Sequence, residues 1–313
     1  MDNNNENWER ETIKQIALAQ VTEQRRARRW GIFFKFLGFM YLFAILALVK
    51  FDWESEDLTG EKKHTAIVDV KGLIASNTEA SAEKVIKSLK AAFKDDKTAG
   101  VIVRINSPGG SPVQANYIYQ EMQRLRKEYP KIPLYAVVTD LCASGGYYIA
   151  VGAEKIFVDK SSLIGSIGVV MSSFGFVNTL EKLGVERRLF TAGENKGFLD
   201  PFSPQKTEEV DHVKTLLNQL HDNFINVVKE GRGDRLQLTN EKLFSGFIWA
   251  GEEAIKLGLV DEVSTTQKVA KDLIKAEKLV NFTPRRDLFE RMAEKMSTAV
   301  AEWVMFAQFG ATP

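Results

Sequence analysis

The chain has 313 residues, enough to bury the core of one large domain or of two modest ones. Its formal net charge of +1 gives no overall attraction to nucleic acid, so we expect no nucleic-acid partner. Its single cysteine, Cys142, excludes an intramolecular disulfide.

The first 51 residues have the pattern of a membrane anchor. Residues 1–29 are polar and charged, and the apolar run at 36–49, with its flanks, approaches the ~20 residues needed to span a bilayer. Arginines cluster before this run and acidic residues follow it. In membrane proteins, basic residues that flank a span generally stay on the cytoplasmic side. We therefore predict a cytoplasmic tail at 1–29 and an uncleaved, single-pass signal anchor at 30–51 in a bacterial inner membrane. The catalytic domain would then be periplasmic or extracytoplasmic.

Two alternatives to an anchor stay open. A cleaved signal peptide would have an unusually long leading region and no clean cleavage motif. A buried core helix would not explain the flanking charges and aromatic residues. Residues 52–63 are hydrophilic and predict a linker.

From residue 64 onward the pattern alternates between strands and helices, which predicts an α/β fold with a largely parallel sheet. We expect helices at 82–93, after the turn at 106–111, and at 145–151. The expected strands lie at 65–70, 100–105, 134–138, 155–158, 167–171 and 187–191. No internal repeat is present, so residues 64–280 are expected to form a single catalytic unit.

The last third of the chain predicts two amphipathic helices. The first is expected at 204–231, with Ser203 as its N-cap and Pro204 in its first position. Residues 281–313 are expected to form an amphipathic C-terminal helix or tail. This tail could pack on its own domain, on a neighbouring subunit or on the membrane surface.

Ser144 is the strongest candidate for a catalytic residue, because it follows an apolar strand in the run 141–148 (LCASGGYY). A serine nucleophile needs an adjacent base. The three histidines of the chain are His64, His212 and His221, and none is close to Ser144 in sequence. A lysine is the next candidate base, which favours a Ser/Lys hydrolase. The adjoining Cys142 leaves a cysteine hydrolase as an alternative, although no nearby histidine would form the thiolate pair.

Two glycine pairs, Gly109-Gly110 and Gly145-Gly146, stand at strand-to-helix turns. Turn chemistry alone would explain one pair. Two pairs, one of them beside a serine, indicate backbone N–H groups that approach a ligand without a Cβ in the way. The N–H of Gly145 directly follows the serine and is a natural oxyanion donor.

The candidate lysines cannot be separated by spacing. Lys155 and Lys160 flank a strand and are expected to be solvated, whereas Lys196 lies in the glycine-bounded loop 192–198. A lysine acts as a base near neutral pH only where burial lowers its pKa.

Four segments together resemble the family of short, single-domain signal peptide peptidases A, which also contains the SohB proteases. They are 106–110 (NSPGG), 143–148 (ASGGYY), 164–168 (IGSIG) and the region around Lys196. Residues 65–263 match in order, and an anchor before them is also typical of the family.

The resemblance implies a crotonase-like (Clp protease-like) spiral of β-β-α units, preceded by one N-terminal transmembrane helix. It implies a dyad with Ser144 as nucleophile and Lys196 as general base. Ser166 would hydrogen-bond the lysine amine, and Gly109 and Gly145 would donate the oxyanion-hole N–H groups. The lysine would come from the adjacent subunit of a ring-like homo-oligomer, so that active sites are shared between subunits.

These inferences predict a membrane-anchored serine endopeptidase that degrades residual signal peptides or other membrane-associated peptides, with no cofactor and no metal. A SohB-like protease with a different substrate range and a catalytically silent scaffold of the same fold are the main alternatives. A crotonase-type acyl-CoA enzyme and a Clp-like Ser/His/Asp peptidase are the others.

Overall fold

The computed structural model of the protein describes residues 14, 18, 23–26, 28–43 and 63–284. The chain divides into two compact units, Met1–Lys62 and Lys63–Pro313. The described residues of the first unit are helical. Among all described residues, no helix combines the length and the apolar character needed to cross a membrane.

Several predicted segments lie partly or wholly outside the described residues. The anchor predicted at 30–51 is described only as far as residue 43, and the linker is described only at Lys63. The C-terminal segment is described as far as residue 284. The anchor therefore stays a prediction.

The second unit is built around an eight-stranded sheet in which α-helices connect most of the strands. Its strands are β1 (His64–Lys71), β2 (Thr98–Ser107), β3 (Leu134–Ala143), β4 (Lys155–Val158), β5 (Leu163–Gly165), β6 (Ile248–Ala250), β7 (Glu262–Val263) and β8 (Leu279–Asn281). The α-helices described in this unit are α1 (Ala82–Lys94), α2 (Pro112–Glu128), α3 (Gly145–Ala150), α4 (Val177–Lys182), α5 (Thr207–Arg232), α6 (Gly251–Lys256) and α7 (Thr266–Val269).

The sheet has the order β6-β5-β3-β2-β1-β8, and β4 and β7 branch from β3. All of the described strand pairs are parallel except β5 with β6. The predicted parallel α/β fold is thus confirmed. β3 changes its neighbour along its length: Tyr135–Val137 pair with β4, whereas Leu141–Ala143 pair with β5.

Helices cover both faces of the sheet, which explains why its central strands are almost continuously apolar. In β1, Val68 and Val70 point into the larger core beneath α1, α2 and α3, while Ile67 points into the smaller core beneath α7. This alternation is the period of two expected of a strand. In α1, Val85 and Leu89 are buried one turn apart, as the apolar spacing of the sequence predicts.

The structure corrects three of the predicted elements. The strands expected at 167–171 and 187–191 are wrong, because no described strand of this chain pairs with either segment. Helix α5 begins at Thr207 instead of 204. Ser203 is not its N-cap, since its hydroxyl donates to Asp200 Oδ2 at 2.6 Å.

A buried ion pair fixes the carboxyl end of α5 to the sheet. The Arg232 side chain is 1% exposed and donates two hydrogen bonds to Asp261, at 2.8 and 3.0 Å, and a third to the Gly258 carbonyl oxygen. Asp261 also accepts from the Ile156 N–H of β4. Burial acts to raise the pKa of Asp261, but Arg232, with smaller contributions from the Ile156 N–H and from Arg235, outweighs burial and holds that pKa below its usual range. The stabilisation from this carboxylate is therefore present at neutral pH and is lost as the pH falls through its folded-state pKa.

We expect Arg232→Met to destabilise the protein by about 3 kcal/mol, because the substitution removes the buried partner of Asp261 and leaves this carboxylate with the more exposed Arg235 alone. The free energy of unfolding, measured by urea titration of the full chain, checks this. Arg124→Met is the matched control, since the Arg124 side chain is half exposed on α2, where it pairs with Glu121 and Glu128. A pair of that kind contributes about 1 kcal/mol or less. Equal losses in the two variants would contradict a structural role for the buried pair.

Candidate active site

Ser144 occupies the turn between β3 and α3 and is half-buried. Its φ is +52°, a conformation that costs a residue with a side chain about 1–3 kcal/mol. Its backbone N–H donates to the Gly165 carbonyl oxygen at 2.8 Å. The turn is thus held in a strained shape by the end of the neighbouring strand β5.

The two glycine pairs meet beside this serine, because β2 and β3 are parallel neighbours whose carboxyl ends share one edge of the sheet. A methyl group placed on Gly145 would lie 3.3 Å from Gly110 N and 3.5 Å from Gly109 Cα. The backbone N–H of Gly145, at the start of α3, donates to no described residue. It is therefore free to bind an acceptor.

The second free donor belongs to Gly110 instead of Gly109. The Gly109 N–H donates to Ser107 Oγ at 3.1 Å, and its carbonyl oxygen accepts from Ile74 N. Gly110 lines the cavity in front of Ser144, and its N–H donates to no described residue. The family resemblance implied Gly109 as this donor, whereas the structure leaves the N–H of Gly110 free and that of Gly109 bonded to Ser107.

Ser144 lies at a cavity of about 490 Å³. Apolar side chains form much of its wall, namely Val113, Tyr148, Val169, Val170, Leu220 and Phe224. No Asp, Glu, Lys, Arg or His lies among the residues that line it. Within the described part of the chain, no group of His, Cys, Asp and Glu side chains could hold a metal ion.

Ser166 lines the same cavity as Ser144 and also has a φ of +52°. Its N–H donates to the Phe247 carbonyl oxygen at 2.7 Å. The structure therefore brings Ser144, Ser166 and Gly145 together at one cavity, with Gly110 beside them.

Lys196 is not among the residues that line this cavity. It lies in the turn 192–199 of a long excursion, residues 170–206, in which no residue is buried. We call residues 170–206 the arm. The Lys196 side chain is exposed in the single chain.

The other candidate lysines do not reach Ser144 either. Lys155 begins β4 and pairs with Tyr135, near the amino end of β3, whereas Ser144 follows the carboxyl end of that strand. Lys160 Nζ lies 3.0 Å from a Glu252 carboxylate oxygen, and this hydrogen bond raises the pKa of Lys160. A lysine whose charged form is stabilised in this way is a poor base.

None of the three histidines lines the cavity. His64 stands at the amino end of β1, where burial lowers its pKa in spite of the nearby Asp95. His212 is exposed with its ring against Phe198. His221 Nε2 lies 3.1 Å from the Ile167 carbonyl oxygen. These positions give no support to a Ser/His/Asp site.

Cys142 is completely buried beneath the Ser144 turn, and burial raises the pKa of its thiol. Only a thiolate is a good sulfur nucleophile. The cysteine-hydrolase alternative is therefore unfavourable.

We expect the Cys142 thiol of the native protein to react with a disulfide reagent such as Ellman's reagent at least about 100-fold more slowly than the unfolded chain, because the sulfur is both inaccessible and protonated. Absorbance of the released thiolate, with and without denaturant, checks this. Rapid reaction in native buffer would restore the cysteine alternative.

Comparison with known proteins matches two family patterns. The pattern of Peptidase family S49 matches residues 126–281, and that of Clp protease matches residues 58–163. The chain also resembles a structure of the membrane-bound stomatin-specific protease 1510-N, with a TM-score of 0.43 and 17% identity, covering 72% of this chain and 100% of that one.

Relatives of similar length are proteases by name. A protein of Enterococcus faecium assigned as a signal peptide peptidase SppA is 31% identical over 75% of this chain and 71% of its own length. A protein of Methanocaldococcus jannaschii assigned as a protease is 31% identical over 76% of this chain and 77% of its own length. A Na(+)/H(+) antiporter NhaA of Brucella melitensis is 45% identical over 65% of this chain, which spans only 27% of that protein. The family pattern matches this chain, and protease relatives match it over most of their own length. The chain therefore belongs to peptidase family S49.

Proposed function

We propose that the protein is a serine endopeptidase in which Ser144 is the nucleophile and Lys196 the general base. The observation that carries the proposal is the strained Ser144 turn at an apolar cavity, with the free N–H groups of Gly110 and Gly145 beside it. Membership of the peptidase family S49 supports the choice of peptide-bond hydrolysis. Sodium/proton antiport is not proposed, since the antiporter match covers only 27% of that relative.

In the proposed mechanism, the neutral Lys196 amine removes the proton of Ser144 while Oγ attacks the scissile carbonyl carbon. The Gly110 and Gly145 N–H groups stabilise the resulting oxyanion. The lysine ammonium then protonates the leaving amine, and water releases the acyl group from Ser144. Ser166, at the same cavity, would hydrogen-bond the amine and orient it.

We propose that Lys196 reaches Ser144 from a second copy of the chain. The single chain leaves Lys196 exposed and outside the cavity lining. The arm that carries it also exposes large apolar side chains, with Phe174 79% and Phe190 91% accessible. Apolar surface of this extent is typical of a protein–protein contact. A homo-oligomer would cover the arm and complete each site from two subunits.

The cavity favours extended peptides with apolar side chains. The backbone of residues 168–173 makes no hydrogen bond to another described backbone group. Three of these residues, Gly168, Val169 and Val170, line the cavity. An extended peptide could pair with this free edge while its side chains enter the apolar cavity.

The substrate class follows from the proposed anchor. An apolar segment at 30–51 behind an arginine cluster would hold the peptidase domain at the outer face of a bacterial inner membrane. Signal peptides left in the membrane are apolar and lie within reach of such a domain. A relative assigned as a signal peptide peptidase supports this substrate class.

We expect Ser144→Ala and Lys196→Ala each to lower kcat/KM at least about 1,000-fold on a fluorogenic apolar peptide, because each removes one half of the dyad. The full chain in detergent micelles is the enzyme. Lys155→Ala and Lys160→Ala are matched controls and should keep wild-type activity. An active Lys196→Ala would overturn the dyad.

Co-expression of the two inactive chains with different tags tests the sharing of sites. If each site combines Ser144 of one subunit with Lys196 of the next, random mixing restores about a quarter of the wild-type activity. If both variants are inactive and the complex purified through both tags recovers no activity, Ser144 and Lys196 of each site belong to the same chain.

We expect Gly145→Ala to lower kcat/KM by about 100-fold, since its methyl group would crowd the Gly110 N–H at the oxyanion position. Gly146→Ala is the matched control. Its methyl group would be equally tight, 3.1 Å from the Ser107 carbonyl oxygen, but Gly146 does not line the cavity. Equal losses of activity in the two variants, at equal folded fraction, would contradict an oxyanion hole between Gly110 and Gly145.

A further inference from the structure

Three successive residues, of which Ser166 lines the cavity, are held by hydrogen bonds to three different parts of the chain. The Gly165 carbonyl oxygen accepts from Ser144 N at 2.8 Å, and Ser166 N donates to the Phe247 carbonyl oxygen at 2.7 Å. The Ile167 carbonyl oxygen lies 3.1 Å from Nε2 of His221 on α5. The first two ties are made by backbone groups, and only the third depends on the identity of a side chain.

The role of His221 in this contact is fixed by its partner. A carbonyl oxygen only accepts hydrogen bonds, so Nε2 carries the proton and donates it. The ring is half-buried, and with Nε2 engaged it does not serve as the base for Ser144.

The peptide group held by His221 lies between two parts of the proposed site. On one side is Ser166, whose φ of +52° is a conformation that persists only where the surroundings enforce it. On the other side the chain continues into Gly168, Val169 and Val170, which line the Ser144 cavity. Rotation of the Ile167 carbonyl would therefore move both Ser166 and the free peptide edge.

We propose that His221 is a positioning residue: its hydrogen bond to the Ile167 carbonyl oxygen holds Ser166 and the cavity edge at 168–170 in the geometry that catalysis requires. This role rests on the proposed function of the Ser144 cavity. His221 acts through Ile167 and contacts no reacting atom.

The test compares three substitutions in the full chain, assayed in detergent micelles with a fluorogenic apolar peptide. His221→Phe keeps a planar ring but cannot donate, and we expect kcat/KM to fall about 10- to 100-fold, as for small displacements of catalytic groups. His221→Gln places an N–H near the position of Nε2 and should recover to within about threefold of wild type. His221→Asn is too short to reach Ile167 and should stay as inactive as His221→Phe.

A matched control separates positioning from loss of stability. Val228 is completely buried on the same helix and does not line the cavity. Val228→Ala should lower the thermal midpoint at least as much as His221→Phe while leaving kcat/KM within about twofold of wild type. If His221→Phe fails to fold, as judged by circular dichroism, the Gln and Asn variants decide the question alone.

Recovery in His221→Gln, without recovery in His221→Asn, supports the proposal. Equal activities of the Gln and Asn variants, or a His221→Phe variant as active as wild type, overturn it. Ser144→Ala, assayed in parallel, distinguishes failure of the positioning role from failure of the proposed active site. If Ser144→Ala is inactive and His221→Phe is fully active, only the positioning role fails, whereas an active Ser144→Ala overturns the proposed site and this inference together.

Discussion

The hydrogen bond from the Ser144 N–H to the Gly165 carbonyl oxygen joins two strained serine turns, and the rest of the site depends on it. It exists because β3 exchanges β4 for β5 as its neighbour halfway along its length. That exchange sets the carboxyl ends of β3 and β5 side by side, so Ser144 and Ser166 reach one cavity. A sheet in which β3 kept a single partner would not bring the two serines together.

The two halves of the proposed dyad lie in regions that differ sharply in burial. Ser144 follows the buried residues Cys142 and Ala143, and the helix after it begins with two buried glycines. Lys196 lies on the arm, where no residue from 170 to 206 is buried. Local stability follows burial, so the nucleophile is fixed by the core of its own chain while the base needs an external contact to be fixed. On the proposed assignment, assembly therefore controls activity, because a separate chain holds a nucleophile without a base.

The elements that could be predicted from the sequence are those whose side chains face this chain's own core. β1, β4 and α1 were expected within about two residues of their observed bounds, since their apolar periods report burial against the sheet. The strands expected at 167–171 and 187–191 are wrong because the same apolar period has another cause there. Ile167 there is buried, but Val170, Met171, Leu189 and Phe190 are exposed in the single chain. A periodic apolar pattern cannot tell a strand of the sheet from a surface that contacts another molecule.

The same limit applies to single residues of the site. Ser144 could be predicted because its neighbours in sequence, an apolar strand and a glycine pair, also surround it in space. The choice between Gly109 and Gly110 could not be made from the sequence, since it depends on the hydrogen bond from the Gly109 N–H to Ser107 Oγ, which leaves the Gly110 N–H free. The contact of His221 with Ile167 could not be predicted either, because the two residues are 54 positions apart along the chain.

The apolar wall of the cavity is suited to two tasks at once in the proposed enzyme. Val113, Leu220 and Phe224 offer apolar side chains of a substrate a surface to bury. The same surroundings, with no carboxylate in the lining, disfavour the charged form of any amine that enters them. A carboxylate placed there to bind a basic substrate would stabilise the ammonium form and remove the base. On the proposed assignment, the preference for apolar substrates and the use of a lysine as base would both depend on one property, a cavity lining without carboxylates.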